Sequence, residues 1–208
     1  MTSTPGLPEV ILPDVTLIGA DYSVYTRICR LTLDLKGVQY AFETLDVFAE
    51  GGRESARLAG HPFGKIPILR HAGMTLYETL AITRYIDDRF DGPPLQPADP
   101  SSRARMNQIV SIVDTLVYPV LVWGLYVPRS EGREPDPAML DKGRAVLGEL
   151  DALAGEDWLC GSTPSLADAY LAGCMDYVLK TAAGPELLEH YPRLASWWRQ
   201  AHSLPHLG

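Results

Sequence analysis

Ile66-Pro-Ile-Leu-Arg-His-Ala-Gly-Met-Thr-Leu-Tyr-Glu-Thr-Leu-Ala-Ile-Thr-Arg-Tyr-Ile86 is the stretch that decides the fold. Two short apolar runs, Ile66 to Leu69 and Met74 to Leu76, flank His71-Ala-Gly73, which predicts a hairpin. Directly after it, Leu80, Ile82, Tyr85 and Ile86 recur at helical spacing within Glu78 to Phe90. A hairpin thus feeds straight into a helix, with no loop of its own between them.

Toward the N-terminus the periodicity changes twice. Val15 to Ile18 is a short β-branched run closed by Gly19. Val24 to Lys36 carries Ile28, Leu31 and Leu35 on one helical face, and Gly37 is a stop. Val38 to Val47 has strand character, and residues 49–60 are polar and glycine-rich, with room for a short helix around Glu54 to Leu58. The order is β-α-β-(α)-β-β-α. A parallel βαβ start with an antiparallel hairpin at its end predicts a thioredoxin-like domain over residues 14–90.

Toward the C-terminus, Asp91-Gly-Pro-Pro-Leu-Gln-Pro-Ala-Asp-Pro100 holds four prolines and one glycine, and regular structure cannot pass through it. Residues 91–101 are therefore expected to be a linker. No strand-like alternation follows. Ser102 to Tyr126 reads as a long helix bent at Pro119, Pro137 to Leu153 as a second with Pro137 in its first turn, and Ser165 to Lys180 as a third. Trp197 and Trp198 fall in a last short helix after Pro192. Residues 102–208 are predicted to form an all-helical bundle domain.

The chain has 208 residues, 46% of them hydrophobic, and a formal net charge of -8. The acidic balance argues against nucleic acid as a partner, because phosphate binding needs a basic footprint. No polybasic run suits a membrane surface, and no charge-free run looks long enough to span one. Residues 1–13 lack the pattern of a signal peptide and are expected to be a loose tail. Cys29, Cys160 and Cys174 form neither a CxxC pair nor a zinc pattern, so buried thiols in a reducing compartment are expected. His61, His71, His190, His202 and His206 show no ligand spacing, and no metal site is expected.

Three segments carry chemistry. Ser23 stands where the first helix begins, a point with unpaired backbone N–H groups and a partial positive charge. A thiolate there is stabilised, and a serine hydroxyl adds one hydrogen bond; Ser is equally a common helix cap. In His61-Pro-Phe-Gly-Lys-Ile-Pro-Ile-Leu69, a cis Ile66–Pro67 bond would leave the Ile66 backbone free to pair with an added peptide strand, whereas a trans bond makes Pro67 a plain turn proline. At Glu78-Thr79, helix N–H groups and the Thr79 hydroxyl suit a carboxylate, with Glu78 placed for an ammonium; a capped helix start reads the same way. A thioredoxin-like sheet brings all three turns to one edge.

With that ordered set, the chain resembles the soluble glutathione transferases, nearest in pattern to the phi and theta classes, from about Val15 to His206. The resemblance implies glutathione as co-substrate, a cytoplasmic homodimer and no metal. It implies that Ser23 hydrogen-bonds the glutathione sulfur, that Ile66 pairs with the peptide backbone beside cis Pro67, and that Glu78 and Thr79 hold the glutamyl end. Lys65 and Arg53 fall where the family meets the glycyl carboxylate. Tyr22 and Tyr25 flank Ser23 and are the fallback donors to the sulfur. Tyr118, Trp123 and Tyr126 are candidates for a second-substrate pocket taking a small apolar electrophile, or else core and interface aromatics. Ser165-Leu-Ala-Asp168 matches a family capping box and is expected to act in folding. A glutathione-dependent isomerase, dehalogenase or ether-cleaving enzyme would share the site, and a non-catalytic ligand-binding or interaction module would share the fold.

Overall fold

The structure is a computed structural model that describes residues 14–181 and 184–207. The expected tail, residues 1–13, lies outside the described residues. In the first half, β1 (Val15–Gly19), α1 (Val24–Leu35), β2 (Ala41–Thr44), α2 (Gly52–Leu58), β3 (Ile68–His71), β4 (Met74–Tyr77) and α3 (Thr79–Arg89) follow in the predicted order. The four strands form one sheet in the order β2-β1-β3-β4. β1 and β2 are parallel, and β3 is antiparallel to both β1 and β4. This is the thioredoxin-like arrangement the sequence predicts.

The second strand is shorter than the Val38 to Val47 run. Val38 N–H still closes the end of α1 by donating to Leu33 O at 2.9 Å. Beyond Thr44, Asp46 Oδ1 accepts the Phe48 N–H at 2.8 Å and turns the chain. An aspartate that satisfies the backbone locally competes with the sheet ladder.

The second half is helical: α4 (Pro100–Ile112), a widened helical segment over Val113–Tyr126, α5 (Val127–Ser130), α6 (Pro137–Leu153), α7 (Leu166–Leu179), α8 (Gly184–Glu189) and α9 (Pro192–Ala201). Pro119 does not bend a regular helix. Over 14 residues the helix opens to π-type pairing, ending with Val127 N–H donating to Val122 O. Proline has no N–H to give and its ring crowds the preceding turn, and the wider coil relieves that clash.

The run Pro100–Ser130 is long and apolar enough to cross a membrane by length and composition, contrary to the sequence expectation. Here protein covers one of its apolar faces: Val113, Val117, Leu121 and Leu125 are buried in the same core as Leu147, Leu150, Leu171 and Met175.

The two halves meet along α1. Its Val24, Ile28 and Leu31 belong to the core of the helical half, while Cys29 and Leu33 face Leu17, Leu69 and Ile82 on the sheet side. α7 approaches α1 closely enough that a Cβ on Gly173 would come within 2.9 Å of Ile28 Cγ1. Glycine at that point lets the helical half lie directly against the helix that Ser23 begins.

Ser165 and Asp168 fulfil their folding role in a broader way than a local cap. Asp168 is fully buried, and its carboxylate accepts from the Ser165 N–H at 2.7 Å, the Leu159 N–H at 2.9 Å and Trp197 Nε1 at 2.8 Å. It joins the start of α7 to α9 and to the loop before α7.

Candidate active site

The register of the sheet decides where the three chemical segments lie. Ile18 of β1 pairs with Ile68 of β3, and Ile68 pairs with Tyr77 of β4. Just beyond that row lie the turn into α1, the Ile66–Pro67 step and the β4-to-α3 junction. The structure therefore brings Ser23, Ile66, Pro67, Glu78 and Thr79 to one sheet edge.

Gly19 makes the first turn possible. A Cβ there would fall 2.4 Å from Thr26 Oγ1, so only glycine lets the first turn of α1 fold back over the end of β1. Ser23 N–H donates to Ala20 O at 2.9 Å, and Ser23 Oγ accepts from Thr26 N–H at 3.2 Å. Ser23 is thus the N-cap of α1, partly accessible, with extended backbone angles of φ -83° and ψ 117°. The next N–H groups, of Val24 and Tyr25, have no acceptor within the helix and present donors to an anion.

The neighbouring tyrosines are otherwise engaged. The Tyr22 hydroxyl donates to Asp46, its ring lies 5.5 Å from that of Phe48, and burial together with Asp46 pushes its pKa up to about 12. Tyr25 packs on Tyr118 at 4.6 Å, and burial and the nearby Asp114 carboxylate push its ionisation well above the usual phenol value.

The Ile66–Pro67 bond is cis. Among the described residues, neither the N–H nor the C=O of Ile66 has a backbone partner. At the next turn, Glu78 holds φ +68° and ψ 119°, a conformation uncommon outside glycine. Such a residue costs about 1–3 kcal/mol and persists where the surroundings impose it, often at functional sites. Its side chain is exposed, and Thr79, next to it, is buried at the first position of α3. His61 lies between these elements: its ring is 5.0 Å from Tyr77. Burial lowers its pKa first, with Glu78 and Lys65 exerting opposed pulls, so both charges stand near the same ring. Arg53 and Lys65 are both exposed, and a Cβ on Gly64 would lie 2.8 Å from Arg53 O, which ties the α2 segment to the Lys65 turn.

Next to Tyr25, the widened helix supplies aromatics. Tyr118 meets Trp123 edge-on at 6.4 Å, and Tyr126 meets Tyr177 of α7 edge-on at 4.9 Å. Trp123 is 48% exposed, so it is no core residue. Sequence reasoning missed three residues here. Asp46 fixes Tyr22, Asp114 stands beside Tyr25, and the Tyr177 hydroxyl donates to Tyr22 O at 2.6 Å. Each acts across tens of residues, and no local spacing announces it. Among the described residues no group of side chains suits a metal ion. Burial pushes the Cys29 and Cys174 thiols up, and Cys160 up to about 11, so none is an activated nucleophile.

Two family models match the chain: "Glutathione S-transferase, N-terminal domain" over residues 17–94 and "Glutathione S-transferase, C-terminal domain" over residues 120–205. The chain belongs to the glutathione S-transferase family. Glutathione S-transferase U7 of Arabidopsis thaliana is 30% identical over 190 residues, which is 88% of this chain and 81% of that one. A maleylacetoacetate isomerase of Pseudomonas aeruginosa is 31% identical over 150 residues, 68% of this chain and 71% of that one. Among solved structures, glutathione transferase F7 from Populus trichocarpa aligns with a TM-score of 0.78 at 26% identity, covering 93% of this chain and 95% of the other. The glutathione S-transferase match thus spans both halves.

Proposed function

We propose that this protein is a glutathione transferase of the serine type, which binds glutathione at the sheet edge and activates its sulfur at Ser23. The observation that carries the reading is the convergence of the Ser23 cap, the unpaired Ile66 backbone and the Glu78-Thr79 helix start beyond one register row. Ser23 Oγ and the first N–H groups of α1 stabilise a thiolate, and the thiol proton leaves to solvent. The Ile66 N–H and C=O pair with the peptide backbone. The α3 N-terminus with Thr79 takes the glutamyl carboxylate, Glu78 takes its ammonium, and Lys65 with Arg53 takes the glycyl carboxylate.

The thiolate then attacks an electrophilic carbon held against Tyr118, Trp123 and Tyr126. A sulfur–carbon bond forms as the leaving group departs with its electron pair, and holding the two partners together supplies part of the acceleration. Residues 14–90 serve as the glutathione domain, residues 91–101 as the linker and residues 102–208 as the domain bearing the second pocket. The working form is a homodimer joined through the helix after the linker, where Leu116 is 45% exposed. The three free thiols fit a reducing compartment such as the cytoplasm.

The test is an ultraviolet titration of bound glutathione in the native chain and in Ser23→Ala. In the native chain thiolate absorbance should appear well below the pH of the free thiol. Loss of a hydrogen bond to a charged sulfur, worth about 1.5–3 kcal/mol, should lower turnover by about 10- to 100-fold. Unchanged glutathione-dependent turnover in Ser23→Ala overturns the assignment.

The isomerase relative supports a second reading, a glutathione-dependent isomerase on the same site. Stoichiometry separates the two. A transferase consumes one glutathione per product, whereas an isomerase returns it unchanged.

A further inference from the structure

We propose that Tyr177 is a positioning residue for the reaction: from the helical half it fixes the peptide plane that carries Ser23, and through it the strength of thiolate stabilisation. The inference rests on the transferase reading above.

The peptide joining Tyr22 to Ser23 is held at both ends. Its N–H end donates to Ala20 O at 2.9 Å, and its C=O end accepts from the Tyr177 hydroxyl at 2.6 Å. A peptide unit is planar, so two bonds at opposite ends leave it little freedom to rotate. That plane sets the direction of the Ser23 Cα–Cβ bond and the entry of the chain into α1. The first bond is local to the turn. The second comes from a residue 155 positions away and is the only one of the two contributed by the helical half.

Tyr177 is itself held. The Arg27 guanidinium lies 4.8 Å from its ring centroid, and Arg27 Nη1 reaches Asp176 Oδ2 at 2.5 Å. Lys180 Nζ stands 5.6 Å from the same centroid and bonds Asp176 Oδ2 at 2.9 Å. Tyr126 meets the same ring edge-on. Tyr126 is also a proposed wall of the second-substrate pocket, so a substrate packed there presses on the ring whose hydroxyl holds the Ser23 turn. The charged and titratable groups around this unit are Arg27, Asp176, Lys180, Tyr118 and Tyr126 beside Tyr177, with Asp21, Asp46 and Arg30 on the turn side. Burial pushes the Tyr177 hydroxyl up to about 12, which keeps it a neutral donor throughout the working range.

Tyr177→Phe removes the hydroxyl and keeps the ring, with its contacts to Arg27 and Tyr126. The experiment compares native and Tyr177→Phe protein by thiolate absorbance of bound glutathione and by kcat/KM from pH 5.5 to 9, with melting midpoints as the control for folding. The expected result is a bound-thiol pKa raised by about half a unit or more, so that turnover falls about threefold or more at pH 6 and recovers to within about twofold at pH 9. Superimposable pH profiles, or a drop equal at every pH, overturn the inference and leave the transferase reading intact. If glutathione bound to the native chain shows no lowered thiol, the transferase reading fails and this inference falls with it.

Discussion

Lys36 Nζ lies 3.0 Å from Asp87 Oδ1, and the two side chains are only 3% and 6% exposed. Asp87 also accepts the N–H groups of Leu95 and Gln96, at 2.8 and 3.0 Å, and Lys36 Nζ reaches Pro93 O at 3.1 Å. This buried pair therefore pins the proline-rich linker to the end of α1 and to α3. The linker has no regular structure of its own, so these bonds set where the helical half begins.

Lys36→Met should leave the Asp87 carboxylate buried without its cation and loosen the linker. Removing one partner of a buried pair typically costs about 3–5 kcal/mol, and the backbone N–H groups that remain on Asp87 place the loss here near the low end. Limited proteolysis should show new cleavage between residues 91 and 99. A variant as resistant as the native chain would show that the pair does not hold the linker.

Tyr22 and Ser23 are adjacent, and the sequence leaves both as donors to the sulfur. The structure gives the Tyr22 hydroxyl an acceptor of its own in Asp46, whose carboxyl is held below its usual value chiefly by that bond. Tyr22→Phe should keep kcat/KM within about twofold of native and leave the bound-thiol titration where it is, in contrast to Ser23→Ala. A Tyr22→Phe protein that loses thiolate absorbance would transfer the role to the tyrosine.

Most of the architecture was legible because it rests on local patterns. The β1-α1 turn, the hairpin and the helix after it follow from short periodic runs between glycine and proline, and the second half follows from apolar spacing interrupted by Pro137 and Pro192. The Val38 to Val47 run overstated β2 because an aspartate-stabilised turn looks like strand in composition. α8 was not foreseen, since six residues give less than two turns of periodicity. At the site, Ser23 and Glu78-Thr79 were visible as helix starts. Tyr177, Asp114 and Asp46 were not, because each matters only through a partner brought close by the tertiary fold.

Asp168 illustrates the same limit on the folding side. Its spacing from Ser165 was readable as a cap, but its bonds to Leu159 N–H and Trp197 Nε1 were not. A cap alone is worth about 0.5–2 kcal/mol. Asp168→Ala strands several buried donors at once, each costing about 1–3 kcal/mol when unsatisfied, and should lower stability by about 3–5 kcal/mol. Urea denaturation at neutral pH measures it. A loss of only about 1 kcal/mol would mean that the contacts to Leu159 and Trp197 contribute little beyond the cap.

Asp114 gives the protein a stability that depends on pH. It lies on the widened helix, half-buried, with Oδ1 lacking a hydrogen-bond partner. Burial raises its pKa to about 6 from 3.8, the nearby Tyr25 hydroxyl pulls it down, and the Glu78 charge pushes it further up. Because the folded value lies above the unfolded one, the folded state binds the proton more tightly. The native chain therefore loses stability as pH rises from about 4, and the loss is complete above about 6. Asn carries no charge to desolvate, so Asp114→Asn should escape that loss. A fully buried group shifted this far would account for about 3 kcal/mol, and solvent screening at a half-exposed site reduces it to about 1 kcal/mol. The melting midpoint of Asp114→Asn should exceed the native one by about 2–4 °C at pH 7.5, and the gap should close toward pH 4. Midpoints that differ equally at both pH values would show that Asp114 is charged in the folded protein at little cost.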